Sequence, residues 1–167
     1  MTGGGLILGL VTLQRLGELV LARRNTERLL AQGAREVAPG HYPLIVALHA
    51  AWLIGLWLLV GRAHIDPSWD PNWPWFAVFV VLQILRVWVI ATLGGRWTTR
   101  IIVLPGAPLV RRGPYRLVAH PNYCIVAAEI LVLPLVFGLL WYGLVFSVLN
   151  AGVLWIRIRA EEAALRQ

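Results

Sequence analysis

The chain of 167 residues contains no lysine and a single cysteine, Cys124. One cysteine excludes an intramolecular disulfide, and no zinc-ligand pattern can be built around it, so no metal is expected. Charge is scarce as well: 14% of the residues are charged, where soluble domains carry roughly 25%. Without lysine, the net charge of +7 comes from arginine alone. The arginines are scattered through hydrophobic sequence and form no solvated basic domain. Nucleic acid is therefore not the expected partner; anionic lipid headgroups and anionic small molecules are. No internal repeat or interdomain linker is visible. The first apolar run also lacks the basic flank and small-residue cleavage site of a signal peptide, so it is expected to stay in the mature protein. Residues 1–167 should form one domain.

What the sequence has in abundance is apolar. Hydrophobic residues make up 59%, the mean hydropathy is +0.71, and nine residues are Trp. A soluble core of this length could not hide so much apolar surface, whereas lipid can. Three stretches, Gly3 to Ala22, Tyr42 to Gly61 and Trp75 to Gly94, each approach the roughly 20 residues a helix needs to cross the hydrocarbon. The block from Tyr123 to Ile158 is too long for one span. Its Pro134 and Gly138, followed by Trp141 and Tyr142, predict a helical hairpin with the break near Phe137 to Trp141. The expected fold is all-α and polytopic, with about five transmembrane helices.

Charge placement orients that fold. Arg23, Arg24, Arg28 and Arg35 follow the first span, and Arg96, Arg100, Arg111, Arg112 and Arg116 follow the third, with no acid among the latter. Arg157, Arg159 and Arg166 lie in the tail. The second connection has only Arg62, offset by Asp66 and Asp70, and the hairpin turn is uncharged. Basic and neutral connections thus alternate, which places the N-terminus outside and the C-terminus in the cytoplasm. Trp69, Trp73, Trp75, Trp141 and Tyr142 then fall together at the outer interface as an aromatic belt.

Polar, irregular sequence collects on the other side. Residues 1–93 read as three spans and their connections, and 94–167 as a cofactor-binding loop, the hairpin and a helical end. The longest non-helical segment ends in Gly113-Pro114-Tyr115-Arg116-Leu117-Val118-Ala119-His120-Pro121-Asn122-Tyr123. Gly113-Pro114 is a turn signal, and Pro121 suits the first turn of a helix. His120 would then stand at a helix start, where free amides can meet an anion. These residues would equally serve a helix anchored at the headgroups. In the tail, helical spacing puts Arg157 with Glu161, and Arg159 with Glu162; a solvated helix end with ordinary ion pairs has the same pattern. The hairpin returns this tail to the membrane face that carries His120.

Charged residues within spans are functional candidates by default. Arg15 and Glu18 lie one turn apart and can neutralise each other. Arg86, with Gln83 nearby, has no acid close in sequence; Glu129 could pair with it, or Arg86 could orient an acceptor. His49 and Asn150 suit helix-to-helix hydrogen bonds, and Cys124 suits packing.

The series Gly-Pro-Tyr-Arg, His-Pro-x-Tyr and Arg-x-x-x-Glu-Glu-x-x-Leu, spread over Gly113 to Leu165, resembles the isoprenylcysteine carboxyl methyltransferase family. Gln14-Arg15-Leu16-Gly17-Glu18-Leu19 and His41-Tyr42-Pro43 resemble its bacterial branch, often encoded beside type III polyketide synthases. The resemblance implies an integral membrane methyltransferase that binds S-adenosyl-L-methionine on the cytoplasmic side of the cell membrane, while a lipophilic acceptor enters from the bilayer. Carried over, Tyr115, His120, Pro121, Tyr123, Glu161 and Glu162 would form the cofactor site; independently of the resemblance, Arg86 and Arg157 are the candidates to orient the acceptor. Two departures stand out. Ala119 replaces an Arg common before the His-Pro pair, and Gln167 follows soon after the Glu-Glu pair, which weakens the expectation of a prenylated protein as substrate. The expected chemistry is O-methylation of a carboxylate or acidic hydroxyl, with an alkylpyrone or alkylresorcinol-like polyketide ahead of an isoprenylcysteine. The alternatives are a phospholipid N-methyltransferase, or a non-enzymatic membrane scaffold or transporter.

Overall fold

The computed structural model describes residues 3–63 and 70–165. Asp66, Trp69 and Arg166 lie outside the described residues. Five α-helices make up the fold: α1 (Gly3–Ala31), α2 (Tyr42–Ala63), α3 (Trp73–Leu93), α4 (Pro121–Val136) and α5 (Leu140–Leu165). A two-residue β1 (Arg35–Glu36) pairs antiparallel with β2 (Ile102–Val103), with Arg35 opposite Val103. The chain is an all-α polytopic membrane protein. Four helices are long and apolar enough to cross a bilayer, and α4 is a shorter apolar helix. Its 16 residues rise about 24 Å.

The outward faces agree with a lipid solvent. Leu13, Ile84 and Val148 are 67%, 64% and 73% exposed, far more apolar surface than water tolerates in one continuous band. The buried core is small by comparison. It gathers Leu8 and Val11 of α1, Trp52, Leu56 and Val60 of α2, Phe79 of α3, and Ile130, Leu133 and Val136 of α4. Helix α4 is the hub of the bundle, in contact with both α3 and α5.

The expected hairpin break is present and has a local cause. Gly138 takes a positive φ of 73°, its amide donates to the Leu135 carbonyl at 3.1 Å, and the Leu139 amide donates to Pro134 O at 2.9 Å. These two bonds close a Schellman motif, which needs a left-handed residue at that position. Helix α1 ends the same way at Gly33, with Ala34 N donating to Leu29 O at 3.0 Å.

Pro134 sets a problem inside α4, because it offers no N–H to the Ile130 carbonyl. The Trp52 indole of α2 fills the gap, donating to Ile130 O at 3.2 Å. Trp52→Phe should leave that buried carbonyl unpaired and cost about 1–3 kcal/mol. Adding Pro134→Ala restores an N–H, so thermal midpoints of the double variant should recover most of the loss. A Trp52→Phe protein that melts like the parent would remove this account.

Two ends of the bundle differ sharply. At one, Asn72 N donates to Val136 O at 3.0 Å, which brings the starts of α3 and α5 together with Trp73, Trp75 and Trp141. At the other, β1–β2 pairing joins the α1–α2 and α3–α4 connections. Asn25 of α1 reinforces it, donating to Gly94 O at 3.1 Å and Trp97 O at 2.8 Å. Arg100 donates to Glu36 at 2.9 Å and stacks 4.8 Å over the Tyr42 ring. The arginines from Arg23 to Arg35, from Arg96 to Arg116, and Arg157 and Arg159 therefore share this second end.

Helix α1 runs nine residues beyond the expected span end at Ala22. Hydropathy marks where a helix leaves lipid, not where it stops. The added turns carry an Arg23–Glu27 pair at 3.0 Å, ordinary for an exposed helical face.

Candidate cofactor site

The loop from α3 to α4 folds over the arginine-rich end and walls a cavity of about 480 Å³. That volume is within the range of small-molecule sites, roughly 300–1,000 Å³. The loop holds its shape by close approach. Gly113, at φ 55°, lies so near α3 that a Cβ would meet Thr92 Oγ1 at 2.7 Å. The residues after it form a 3₁₀ turn, Gly113–Arg116, with Pro114 buried. Arg112 ties the turn to the Thr92 carbonyl at 3.3 Å, and Arg96 holds Pro108 O at 2.6 Å. The turn thereby presents Tyr115 to the cavity. Burial, with the Glu161 carboxylate adding to it, pushes the Tyr115 hydroxyl up to about 12, so it remains a neutral donor at physiological pH.

Helix α4 opens at the cavity. Pro121 occupies its first turn and is buried, and His120 is the N-cap. The amides of Tyr123 and Cys124 donate back to the His120 carbonyl at 3.1 and 3.3 Å, so the helix start has fewer free donors than its sequence suggests. The His120 ring stacks on Tyr123, centroids 5.1 Å apart.

Helix α5 supplies the opposite wall. Arg157 Nε donates to Tyr123 Oη at 2.8 Å, Arg157 Nη1 donates to Thr99 O at 2.8 Å, and Tyr123 Oη donates in turn to Glu161 Oε2. His120 Nδ1 lies 3.9 Å from the same carboxylate oxygen. Asn122 Oδ1, which lines the same space, is fully buried without a hydrogen-bond partner among the described residues, and Glu161 Oε1 and Arg157 Nη2 take no part in the bonds just named. Buried polar atoms seldom stay unpaired.

The structure thus unites Tyr115, His120, Tyr123, Arg157 and Glu161 around one space. Pro121 shapes the helix start beside it. Glu162 is exposed and does not line the cavity. Asn122 and the Thr99 carbonyl belong to the site although no charge or family motif singles them out. The unnamed position of His-Pro-x-Tyr, between Pro121 and Tyr123, is the only signal for Asn122.

Arg86 lies elsewhere. It is buried between helices, with Nε and Nη2 on the two Glu18 oxygens at 2.7 and 2.6 Å, and Nη1 on Glu129 at 3.0 Å. Arg15 bridges the same two carboxylates at 3.0 and 2.9 Å. Gln83 donates to Glu129 at 2.8 Å, and Gln14 joins Gln83 at 2.8 Å. The expected Arg15–Glu18 and Arg86–Glu129 pairs both exist, merged into one neutral cluster across α1, α3 and α4. With three of its nitrogens engaged, Arg86 holds helices together. His49 Nδ1 donates locally to Ile45 O at 2.8 Å. Asn150 is buried with Oδ1 unpaired, and Cys124 is exposed, not packed.

Fold and cavity together define a helical membrane protein with a polar, cofactor-sized site at one end. The profile of the isoprenylcysteine carboxyl methyltransferase (ICMT) family matches residues 75–167. The chain belongs to that family and is a membrane methyltransferase. It is 38% identical to the uncharacterized protein YpbQ of Bacillus subtilis (strain 168), over 97% of this chain and 96% of the relative. An uncharacterized protein of Haemophilus influenzae is 24% identical over 90% of this chain and 88% of its own. No solved structure matches the chain significantly.

Proposed function

We propose that this protein is an S-adenosyl-L-methionine-dependent O-methyltransferase of the cell membrane. Its site faces the cytoplasm, and its acceptor is a lipophilic carboxylate or acidic hydroxyl. The carrying observation is the convergence of Tyr115, His120, Asn122, Tyr123, Arg157 and Glu161 on one cavity, with the buried Asn122 Oδ1 left unpaired. The donor set suits the cofactor. Glu161 Oε1 and Asn122 Oδ1 are acceptors for an ammonium group or ribose hydroxyls, and Arg157 Nη2 is a donor for a carboxylate. The Tyr123 ring, already 5.4 Å from the Arg157 guanidinium, offers a π face to positive charge.

When bound, S-adenosylmethionine supplies an electrophilic methyl group on a sulfonium. The chain's own task is alignment, since in-line displacement gains most from fixed geometry. Tyr123, held between Arg157 and Glu161, has its hydroxyl fixed from two sides. Glu161 and Asn122 hold the polar part of the site, and Arg157 faces an anionic acceptor. A carboxylate or hydroxypyrone, ionised at neutral pH, needs no general base, which suits a cavity whose Tyr115 stays protonated.

The favoured acceptor is an alkylpyrone or alkylresorcinol-like polyketide, whose head can reach the interface while its tail stays in lipid. Activity should then rise with alkyl length, about fourfold in kcat/KM for each methylene worth ~0.8 kcal/mol, until the tail is immersed. Purified protein with labelled cofactor can be offered hydroxypyrones of increasing length, a farnesylcysteine analogue and phosphatidylethanolamine. Preference for the farnesylcysteine would replace the acceptor and keep the chemistry. Methylation of the lipid amine alone would replace the O-methylation reading with N-methylation.

A further inference from the structure

The loop that walls the cavity has a second face. Leu109, Val110, Arg111 and Tyr115 line the cavity, yet Leu117 and Val118 of the same stretch are 78% and 47% exposed, and Leu109 itself is 62% exposed. Arg111, Arg112 and Arg116 are exposed among them. No acid occurs in the sequence from Arg96 to Ala128. The side chains of Arg111 and Arg116 have no ion-pair or hydrogen-bond partner among the described residues. The exposed apolar side chains are costly in water, and the guanidiniums beside them meet no acid among the described residues; apart from Arg112 on Thr92 O, they have no hydrogen-bond partner there.

The position of this stretch says what would satisfy both kinds of side chain. It lies between the end of α3 at Leu93 and the start of α4 at Pro121, where the chain leaves and re-enters the apolar slab. Residues at that level meet phospholipid headgroups, with phosphates outward and glycerol and acyl carbons just beneath. An apolar side chain can insert beneath the headgroups while the neighbouring arginine holds a phosphate.

We propose that residues 109–118 are a docking surface for anionic phospholipid in the protein's own membrane, and that docking fixes the cavity wall. Leu117 and Val118 enter the interface, and Arg112 and Arg116 bind the anionic headgroups. Besides the close packing of Gly113 on α3 and the buried Pro114, side chains fasten the wall through Arg96 to Pro108 O and Arg112 to Thr92 O. Headgroup charge therefore bears directly on the turn that presents Tyr115. Nucleic acid would use the arginines and leave the leucines in water, so a lipid surface fits better.

The test uses the full chain in nanodiscs of phosphatidylcholine alone, or with phosphatidylglycerol added. Leu117→Cys, in a Cys124→Ala background, carries an environment-sensitive fluorophore. Its emission should move to the blue in anionic discs, and Arg112→Gln with Arg116→Gln should abolish the change. Affinity for S-adenosylmethionine should be about fivefold or more tighter in anionic discs, the gain expected from one arginine near an anionic surface. Equal emission in the two lipids, or a blue shift that survives loss of both arginines, would overturn the docking. Equal affinity despite a blue shift would overturn its coupling to the cavity. The coupling rests on the cofactor reading, whereas the emission does not. Absence of cofactor binding in every lipid would count against that reading and leave docking to be judged by the fluorophore alone.

Discussion

Glu129→Ala is expected to destabilise the protein by about 3–5 kcal/mol, enough to prevent recovery of folded material. Glu129 is 2% exposed and receives Arg86 at 3.0 Å, Arg15 at 2.9 Å and Gln83 at 2.8 Å. Its loss leaves two guanidiniums facing one carboxylate, so a net positive charge is stranded among helices. Lipid offers no water to relieve it. Arg15→Ala should cost less, because Arg15 is 22% exposed on its side chain and Arg86 still binds both acids. Replacing all four charged residues by leucine should recover much of the stability, since an apolar cluster carries no desolvation penalty. Thermal midpoints in detergent test the ordering. If Glu129→Ala melted with the parent protein, the cluster would not be the device that joins α1 and α3 to α4.

That cluster shows how far the sequence could be read. Each member stands out as a charge within an apolar run, and two of its pairings follow from spacing and elimination. The bidentate Arg86–Glu18 contact does not, because 68 residues separate the partners and only the angle of α1 against α3 brings them together. The helices were legible for the same reason their ends were not. Apolar length reports the lipid, whereas the stop of α1 at Ala31 depends on Gly33 and two carbonyl contacts. The β1–β2 pair was hidden in four residues of arginine-rich connection, too short for an alternating pattern to show. At the site, His-Pro-x-Tyr and Arg-x-x-x-Glu-Glu named the two walls, but motif alone treated Glu161 and Glu162 alike. Helix geometry separates them: Glu161 lies one turn beyond Arg157 and shares its face, while Glu162 is turned outward. The Thr99 carbonyl is a backbone atom of a loop, and no side-chain pattern could announce it.

Glu161→Gln should weaken S-adenosylmethionine binding by roughly tenfold to a hundredfold, the value of a charge-assisted hydrogen bond of ~1.5–3 kcal/mol. The amide can still accept the Tyr123 proton through its carbonyl, so the wall keeps its shape. What is lost is negative charge at the oxygen that Tyr123 does not occupy. Glu161 is 28% exposed on its side chain, and the melting temperature should therefore hardly move. Arg157→Ala should lose comparable affinity but also some stability, because it releases Tyr123 Oη and Thr99 O together. Tyr123→Phe keeps the ring and drops one hydroxyl, a change of about 0.5–1.5 kcal/mol and so at most about tenfold. Glu162→Gln, on the exposed face, should bind like the parent. Calorimetric titration of the four variants in detergent, each checked by its melting curve, separates a binding contact from a folding one. Should Glu162→Gln lose affinity while Glu161→Gln keeps it, the cofactor would lie outside this cavity, on the other face of α5.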